Sequence, residues 1–254
     1  LTFMFNQRTN CIYRALKDLL QSGRLGAMKR VCWIITDLYR TQRYYDSGSW
    51  RATWAGEGGG VLLNQCPHNL DLWQWICGMP VKVEAKLHYG KWHNIEVEDD
   101  VTAYVEYENG ATGVFITTTG DFSGTNRLEI TGTKGALVLE KGTLTVKRFS
   151  RDESDFSYGK CDEIKVEESV IYDEEYNGHK IILQNFANAI LNGEKLISPA
   201  HDAINELLIC NSAYLSSWTG EKVQIPFDEA KFLEMLQKKV ESSSEKRQAS
   251  TKNL

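Results

Sequence analysis

The chain has 254 residues, of which 42% are hydrophobic and 25% charged, and this balance is typical of a folded globular protein and excludes disorder for most of its length. A formal net charge of -5, without a basic run interleaved with aromatic residues before the extreme C-terminus, argues against nucleic-acid binding. No apolar stretch is long enough to cross a bilayer, and six scattered cysteines without CxxC spacing indicate a reducing, cytoplasmic setting.

The first part of the chain carries a helix signal, a strand signal and then a long loop. Apolar residues recur at helical spacing from Cys11 to Leu20, and Ser22-Gly23 ends that helix. Alternating apolar residues predict a strand from Met28 to Leu38. Residues 39–57 have no helix or strand period and are rich in aromatic residues, arginines and small turn residues, which is typical of a functional loop.

Residues 58–78 predict a buried helix that carries chemically useful side chains. Three glycines at its start allow close backbone approach, and most of the remaining positions in this range are apolar. Asn64 and His68 are i and i+4 neighbours on this helix. Pro67 removes the hydrogen bond to the carbonyl of Leu63, so the helix is expected to bend or open beside those two side chains. A broken helix next to an Asn/His pair predicts a ligand site.

Two alternatives accompany this prediction. A histidine in an apolar run is more often a hydrogen-bonded core residue than a catalyst, and His68 fits that description too. Cys66 lies close enough to suggest a metal site, but zinc usually takes four ligands in recognisable pairs and the sequence supplies none, so no metal is expected. His88 and His93 are expected to be surface residues of a strand and its turn.

The middle of the chain predicts a meandering antiparallel sheet. Turns such as Asn109-Gly110 join successive strands. The alternation indicates one face packed on helices and a second, semi-polar face rich in Thr and Tyr, which is left for solvent or for a subunit contact. The predicted strands are Val81–Tyr89, Val101–Glu108, Thr112–Thr119, Arg127–Thr131, Ala136–Glu140 and Leu144–Phe149.

The last third of the chain returns to helices. We expect a single substrate and oligomerisation domain over residues 1–240, and then a polar tail, residues 241–254, that has nothing to bury. The fold class is therefore α+β, an open, mainly antiparallel sheet with helices on one face. The predicted elements are an exposed loop from Arg151 to Glu175, helices His179–Leu191 and His201–Ser217, a strand Val223–Pro226, and a final helix from Asp228 to Val240.

The order of many weak signals over residues 5–227 is more informative than any single motif, since GxGxxG, Walker and GxSxG sequences are all absent from their expected contexts. In chain order the signals are Ser22-Gly23-Arg24-Leu25-Gly26, Trp50-Arg51, Gly58-Gly59-Gly60, Asn64-x-x-x-His68-x-x-Asp71, Gly78, Asn109-Gly110, Gly132-x-x-Gly135, Asn185–Ile190 and Asp202-Ala203. This order resembles the C-terminal domain of the Gfo/Idh/MocA oxidoreductases, the relatives of glucose-fructose oxidoreductase and inositol dehydrogenase.

The resemblance implies an open sheet that supplies the substrate half of a cleft, opposite a separate N-terminal Rossmann domain that binds NAD or NADP. It also implies proton transfer by an upstream lysine of a Glu-Lys-Pro turn together with an Asp-x-x-x-His pair. His68 falls on the family's histidine, whereas Asn64 stands where the family commonly has aspartate. Because GxGxxG and Glu-Lys-Pro are both missing, the chain is expected to be a fragment or separated domain that is inactive alone.

Under this resemblance, a base must take the hydroxyl proton as hydride leaves a carbinol carbon. His68 suits that task because its unperturbed pKa lies at about 6.5, whereas Asn64 can only orient His68 or bind a substrate hydroxyl. The remaining candidates are Arg40, Arg43 and Arg51 as grips for hydroxyl, carboxylate or phosphate groups, Tyr44, Tyr45 and Trp50 as stacking surfaces, His179 in the cleft, and Arg8 facing the cofactor. Ordinary surface arginines and loop-anchoring aromatic residues are the alternative interpretation.

Three functions remain open on the sequence alone. The preferred one is a nicotinamide-dependent dehydrogenase acting on a sugar or cyclitol. The others are an NAD-dependent glycosidase of the same superfamily and a non-catalytic assembly or binding domain. The expected ligand is a small polyol or sugar, with neither nucleic acid nor membrane as a partner. The semi-polar sheet face predicts a homodimer or homotetramer formed through that face.

Overall fold

A nine-stranded sheet organises the chain in the computed structural model, which describes residues 1–251 and their side chains as far as residue 243. Alternating residues and tight turns produce its strands, as the sequence predicts. The strands are β1 (Met28–Ile35), β2 (Lys82–Tyr89), β3 (Glu98–Glu106), β4 (Thr112–Thr118), β5 (Asn126–Gly132), β6 (Gly135–Glu140), β7 (Thr143–Phe149), β8 (Val166–Tyr172) and β9 (Val223–Gln224).

The strand order is β8-β7-β6-β5-β1-β4-β3-β2-β9. Neighbouring strands are antiparallel except for β1 and β4, which run parallel. The helices are α1 (Cys11–Gln21), α2 (Gln42–Asp46), α3 (Pro67–Cys77), α4 (Glu153–Ser157), α5 (Gly178–Asn192), α6 (Ala200–Thr219) and α7 (Glu229–Thr251).

One face of the sheet carries the core. Val31, Trp33 and Ile35 of β1 point into it and are fully buried, and the same alternation continues along β2. Helix α6 packs on β2, α3 packs on α6, and α1 packs on α3. The opposite face remains partly open, as Tyr104 at 36% exposure illustrates. The predicted α+β fold, an open, mainly antiparallel sheet, is confirmed.

The largest departure from the predicted elements is β8, which lies within the segment 151–175 expected to be a loop. Six of its seven residues are exposed, so it has no alternating apolar pattern for a sequence to display. Pairing with β7 alone, at the edge of the sheet, makes it a strand. The short helices α2 and α4 also form inside segments expected to be irregular.

The C-terminal helix is longer than predicted. It runs to Thr251 instead of ending at Val240, and residues 252–254 lie outside the described part of the chain. Ser243 is buried and its hydroxyl accepts a hydrogen bond from the Ala55 backbone at 3.3 Å, so the expectation that the tail buries nothing is wrong at this residue. The domain limit at residue 240 stays a prediction. Among the described residues, no helix has the length and apolar character to span a bilayer.

Candidate active site

The predicted break at Pro67 is confirmed and sets the position of His68. Residues Val61–Gln65 form one π-helical turn, closed by the Cys66 N–H, which donates to the Val61 carbonyl at 2.9 Å. Pro67 then occupies the first position of α3, where its missing N–H costs nothing. The π turn ends one helix and Pro67 begins the next. His68 therefore lies in the exposed first turn of α3.

A buried carboxylate anchors the glycine-led turn to the sheet. Glu98 of β3 accepts hydrogen bonds from the backbone N–H of Gly60 at 2.9 Å and of Leu62 at 3.0 Å, and from the Tyr214 hydroxyl of α6 at 2.7 Å. Burial raises the Glu98 pKa to about 7, against the opposing effect of these donors. Gly60 is required here because a Cβ would overlap the Glu98 carbonyl. The sequence analysis did not identify Glu98, and its only signal is that it is the first of three consecutive acidic residues at the start of β3.

His68 has the exposure expected of a catalytic base and not that of a core residue. Its ring is exposed, and Phe5 meets it edge-on with the centroids 5.7 Å apart. Neither ring nitrogen makes a hydrogen bond to any described side chain or backbone group. Surrounding protein atoms lower the His68 pKa below its usual 6.5, and the charge of His179 lowers it further, while Asp71 acts in the opposite direction. The ring is therefore neutral at pH 7 and has a free lone pair.

Arg8, the expected cofactor contact, is fully buried inside the fold. Its Nε donates to Asp71 Oδ2 at 2.8 Å, its Nη2 donates to Asp71 Oδ1, and its Nη1 donates to Asp202 at 3.1 Å. The rings of Phe5 and Trp75 each lie 5.7 Å from the guanidinium carbon. Arg8 thus ties the N-terminal segment to α3, one turn beyond His68, and acts as a scaffold residue.

The aromatic loop, residues 39–57, folds against the π-helical turn of residues 61–65. Arg51 lies over the rings of Trp50 at 4.5 Å and Tyr44 at 4.6 Å, and it donates to the Tyr44 hydroxyl at 3.0 Å. That hydroxyl in turn approaches Asn64 Oδ1 at 3.4 Å. Arg40 packs over the same tyrosine ring at 5.2 Å. The loop and the Asn64 turn therefore form one polar surface.

Asn64 belongs to this surface and has no hydrogen bond to His68 within the described structure. Its amide donates to Glu57 at 2.5 Å, and its carbonyl accepts from Gln65 at 2.7 Å. The π turn and Pro67 break the helical spacing that would place Asn64 and His68 side by side. Glu57 is a site residue that no sequence pattern singles out. Arg43 is exposed and makes no ion pair with a described acidic residue.

Tyr45 and His93 both differ from their predicted positions. Tyr45 is buried, and its hydroxyl pairs with Thr119 at 2.8 Å, so it supports the loop and does not offer a stacking surface. The ring of His93 lies 4.9 Å from that of Tyr45. His93 is not a surface residue, because its Nδ1 contacts buried Asp99 at 3.0 Å and its Nε2 contacts the Arg40 carbonyl at 2.9 Å. His93 therefore holds the aromatic loop in place.

His179 is the second residue of α5 and is exposed on the same side of the molecule as His68. It lines a surface pocket together with Asn6 and Tyr176, and its charge acts on the His68 ring. The structure thus brings the N-terminal segment, the start of α3 and the start of α5 together. Among the described residues, no three His, Cys, Asp or Glu side chains are arranged to hold a metal ion.

Residues 13–138 match the family model of the GFO/IDH/MocA C-terminal domain. No curated protein sequence matches the chain. Solved structures with the same fold include the WlbA dehydrogenase from Bordetella pertussis in complex with NADH and UDP-GlcNAcA, at 21% identity and a TM-score of 0.71, covering 90% of this chain and 64% of that one. Levoglucosan dehydrogenase in complex with NADH and L-sorbose shares 19% identity at a TM-score of 0.70, covering 89% of this chain and 65% of that one.

A third similar structure is the aldose-aldose oxidoreductase from Caulobacter crescentus complexed with glycerol, at 18% identity and a TM-score of 0.68, covering 89% of this chain and 64% of that one. The chain spans less than two thirds of the length of each of these proteins. At identities of 18–21% the structural similarity establishes only the fold. The evidence for the family comes from the match to the family model. Residues 13–138 therefore belong to the C-terminal domain of the Gfo/Idh/MocA family.

Proposed function

We propose that this chain is the substrate-binding and proton-transfer domain of a nicotinamide-dependent oxidoreductase that acts on a sugar or cyclitol hydroxyl. The observation that carries the proposal is the exposed His68 ring, which has no hydrogen bond to a described residue and is held by buried anchors on either side. Relatives solved with NADH together with UDP-GlcNAcA or L-sorbose support the reaction class.

In the proposed reaction the substrate carbon loses hydride while its hydroxyl proton passes to His68. A bound NAD or NADP would supply the hydride acceptor, and we propose that a domain outside this chain would hold most of it. The lowered pKa keeps His68 neutral and able to accept the proton at pH 7. Asp71, with its charge acting on the ring, favours the imidazolium that forms. Because the ring is exposed, the proton can then pass to solvent or, in the reverse reaction, to an alkoxide.

The loop residues are proposed to bind the rest of the substrate. Arg40, Arg43 and Arg51 have no acidic partner among the described residues, so their charge is available to hydroxyl, carboxylate or phosphate groups. Trp50 is 47% exposed and offers a flat apolar surface for a sugar ring. Asn64 supplies an amide next to these groups in place of the carboxylate common in the family. His179, whose charge acts on the His68 ring, is proposed as a further polar contact for the substrate.

Three further parts of the proposal concern the whole protein. The chain alone is expected to be inactive because it holds only one wall of the nicotinamide site. The open sheet face is proposed to form a homodimer or homotetramer, since Tyr104 and its neighbours would otherwise stay exposed. A cytoplasmic setting agrees with all six cysteines, which lie in the described part of the chain and are free thiols.

The test is turnover of the intact protein with a panel of sugars and cyclitols, measured as reduction of NAD or NADP. His68→Asn removes the base and should lower kcat by at least about a hundredfold, the usual contribution of a general base. His88→Asn is the matched control, because His88 is also exposed but lies on the sheet. Unchanged turnover in His68→Asn would remove this histidine as the base. Cleavage of glycosides without net nicotinamide reduction would favour the glycosidase. No turnover by the wild type or by His68→Asn would favour a non-catalytic domain.

A further inference from the structure

A second cavity, of about 340 Å³, lies at the same edge of the sheet as the His68 site. Strands β1, β6 and β8 run in the same direction, because each is separated from the next by one antiparallel strand. Their C-terminal ends therefore meet at one edge and place Asp37, Lys141 and Asp173 around the cavity mouth. The N-terminus of α1 forms the wall between them. The cavity volume is within the usual range for small-molecule pockets.

The cavity offers hydrogen-bonding groups that no described residue uses. The Asp37 carboxylate and the Tyr13 hydroxyl make no hydrogen bond in the described structure. Asn126 accepts from the Trp33 indole at 3.0 Å through its carbonyl, which leaves its amide hydrogens for the cavity. Gln7 similarly accepts the Tyr176 hydroxyl at 2.9 Å and retains its amide hydrogens. Hydrogen-bond donors and acceptors thus line the same cavity.

This mixture fits a neutral, hydroxyl-rich ring better than an anion. A sugar hydroxyl both donates and accepts, as the carboxylate, amide and phenol groups around the cavity require. Burial, and then interactions with Tyr176, Asp173 and Asp37, raise the Tyr13 pKa to about 12, so the phenol stays a hydrogen-bond donor. Two carboxylates against the single amine of Lys141 disfavour phosphate. Ile12 and Leu139 supply the apolar floor on which the C–H face of a ring can pack.

The cavity shares one lining residue with a neighbouring pocket beside the candidate active site. Tyr176 lines both this cavity and the neighbouring pocket that contains His179, the residue whose charge acts on His68. We propose that the cavity is a second saccharide subsite, which binds a hydroxylated ring distal to the one that reacts, so that the preferred substrate is a disaccharide or glycoside. This inference rests on the proposed function for the identity of the reacting site, but its binding test does not depend on turnover.

The test measures binding of maltose, cellobiose, lactose and sucrose to the intact protein by calorimetry, with glucose and inorganic phosphate as comparison ligands. At least one disaccharide should bind more tightly than glucose. Asp37→Asn should weaken that binding about tenfold or more, because it removes the charge that strengthens a hydrogen bond to the ligand. Tyr13→Phe should weaken it roughly threefold to tenfold, because it removes the hydroxyl donor. Both variants should fold normally, since neither group has a hydrogen-bond partner in the described structure. Asp121→Asn, an exposed aspartate of the β4–β5 loop, is the matched control.

The outcomes separate this proposal from that for His68. His68→Asn should lower kcat by at least about a hundredfold without changing disaccharide affinity, whereas the cavity variants should weaken disaccharide affinity. The subsite is refuted if no disaccharide binds better than glucose, if phosphate competes for the same place, or if both cavity variants bind as the wild type does. Each of those results leaves the turnover test of His68 unaffected.

Discussion

Glu206 of α6 should make the stability of this protein fall as the pH rises. Its side chain is 4% exposed, and one carboxylate oxygen, Oε1, has no hydrogen-bond partner in the described structure. Burial, and then the negative charge of Asp71, raise the Glu206 pKa from 4.5 to about 8. The folded state therefore binds the proton more tightly than the unfolded chain does. The stabilisation from the proton on Glu206 is complete below pH 4.5 and is lost as the pH rises through about 8.

The size of this effect is set by the interval between the two pKa values, which corresponds to about 4 to 5 kcal/mol at full ionisation. Glu206→Gln keeps the shape and the neutral state but removes the ionisation. Near pH 5 the variant should match the wild type within about 1 kcal/mol, and at pH 9 it should be the more stable by several kcal/mol. In both proteins Glu98, with its pKa raised to about 7, should add a smaller decrease in the free energy of unfolding as the pH rises.

The assay is urea unfolding between pH 5 and pH 9, with the free energy of unfolding extrapolated to water at each pH. Glu221→Gln, at an exposed position just beyond α6, is the control and should behave as the wild type throughout. Parallel curves for wild type and Glu206→Gln would refute the reasoning, because the carboxyl group would then be ionised at no cost to folding.

Two further predictions concern the anchors of the site. Asp71→Asn leaves the buried guanidinium of Arg8 with only its Asp202 ion pair, so it should lower the free energy of unfolding in urea by about 3 to 5 kcal/mol. Asp202→Asn should lower it less, because the Asp202 side chain is 35% exposed. Equal losses in the two variants would contradict this arrangement. His93→Ala releases the Arg40 carbonyl and the Tyr45 ring, so amide hydrogen exchange should accelerate across residues 39–47 while α3 stays protected. Unaltered exchange across residues 39–47 would show that His93 does not hold this loop in place.

Local sequence patterns predict most of the fold. Neighbouring residues alone show the alternation in β2 to β7 and the helical spacing in α1, α5 and α6, because one face of each of these elements is buried. Strand β8 escapes prediction for the opposite reason, since an exposed edge strand buries neither face and carries no period. The break at Pro67 is predictable because the chemistry of proline is local.

Long-range partners decide the parts of the site that the sequence cannot predict. Arg8 resembles a cofactor contact in the sequence, but its partner Asp71 lies 63 residues away in the chain and only the fold brings the two together. Tyr45 resembles a substrate contact, although Thr119, 74 residues away, takes its hydroxyl. Glu98 and its donor Tyr214 are separated by 116 residues. In each case the residue type allows two roles, and burial selects the structural one.

The central claim is that His68 accepts the proton in a hydride-transfer reaction, and the pH dependence of kcat/KM for alcohol oxidation by the intact protein tests it most directly. The wild type should lose activity on the acid side with an apparent pKa below the usual histidine value of 6.5, because the ring is partly desolvated and lies near His179. In His68→Asn that acid limb should disappear along with most of the activity. An identical acid limb in the variant, or a wild-type profile that is flat through this range, would contradict the account.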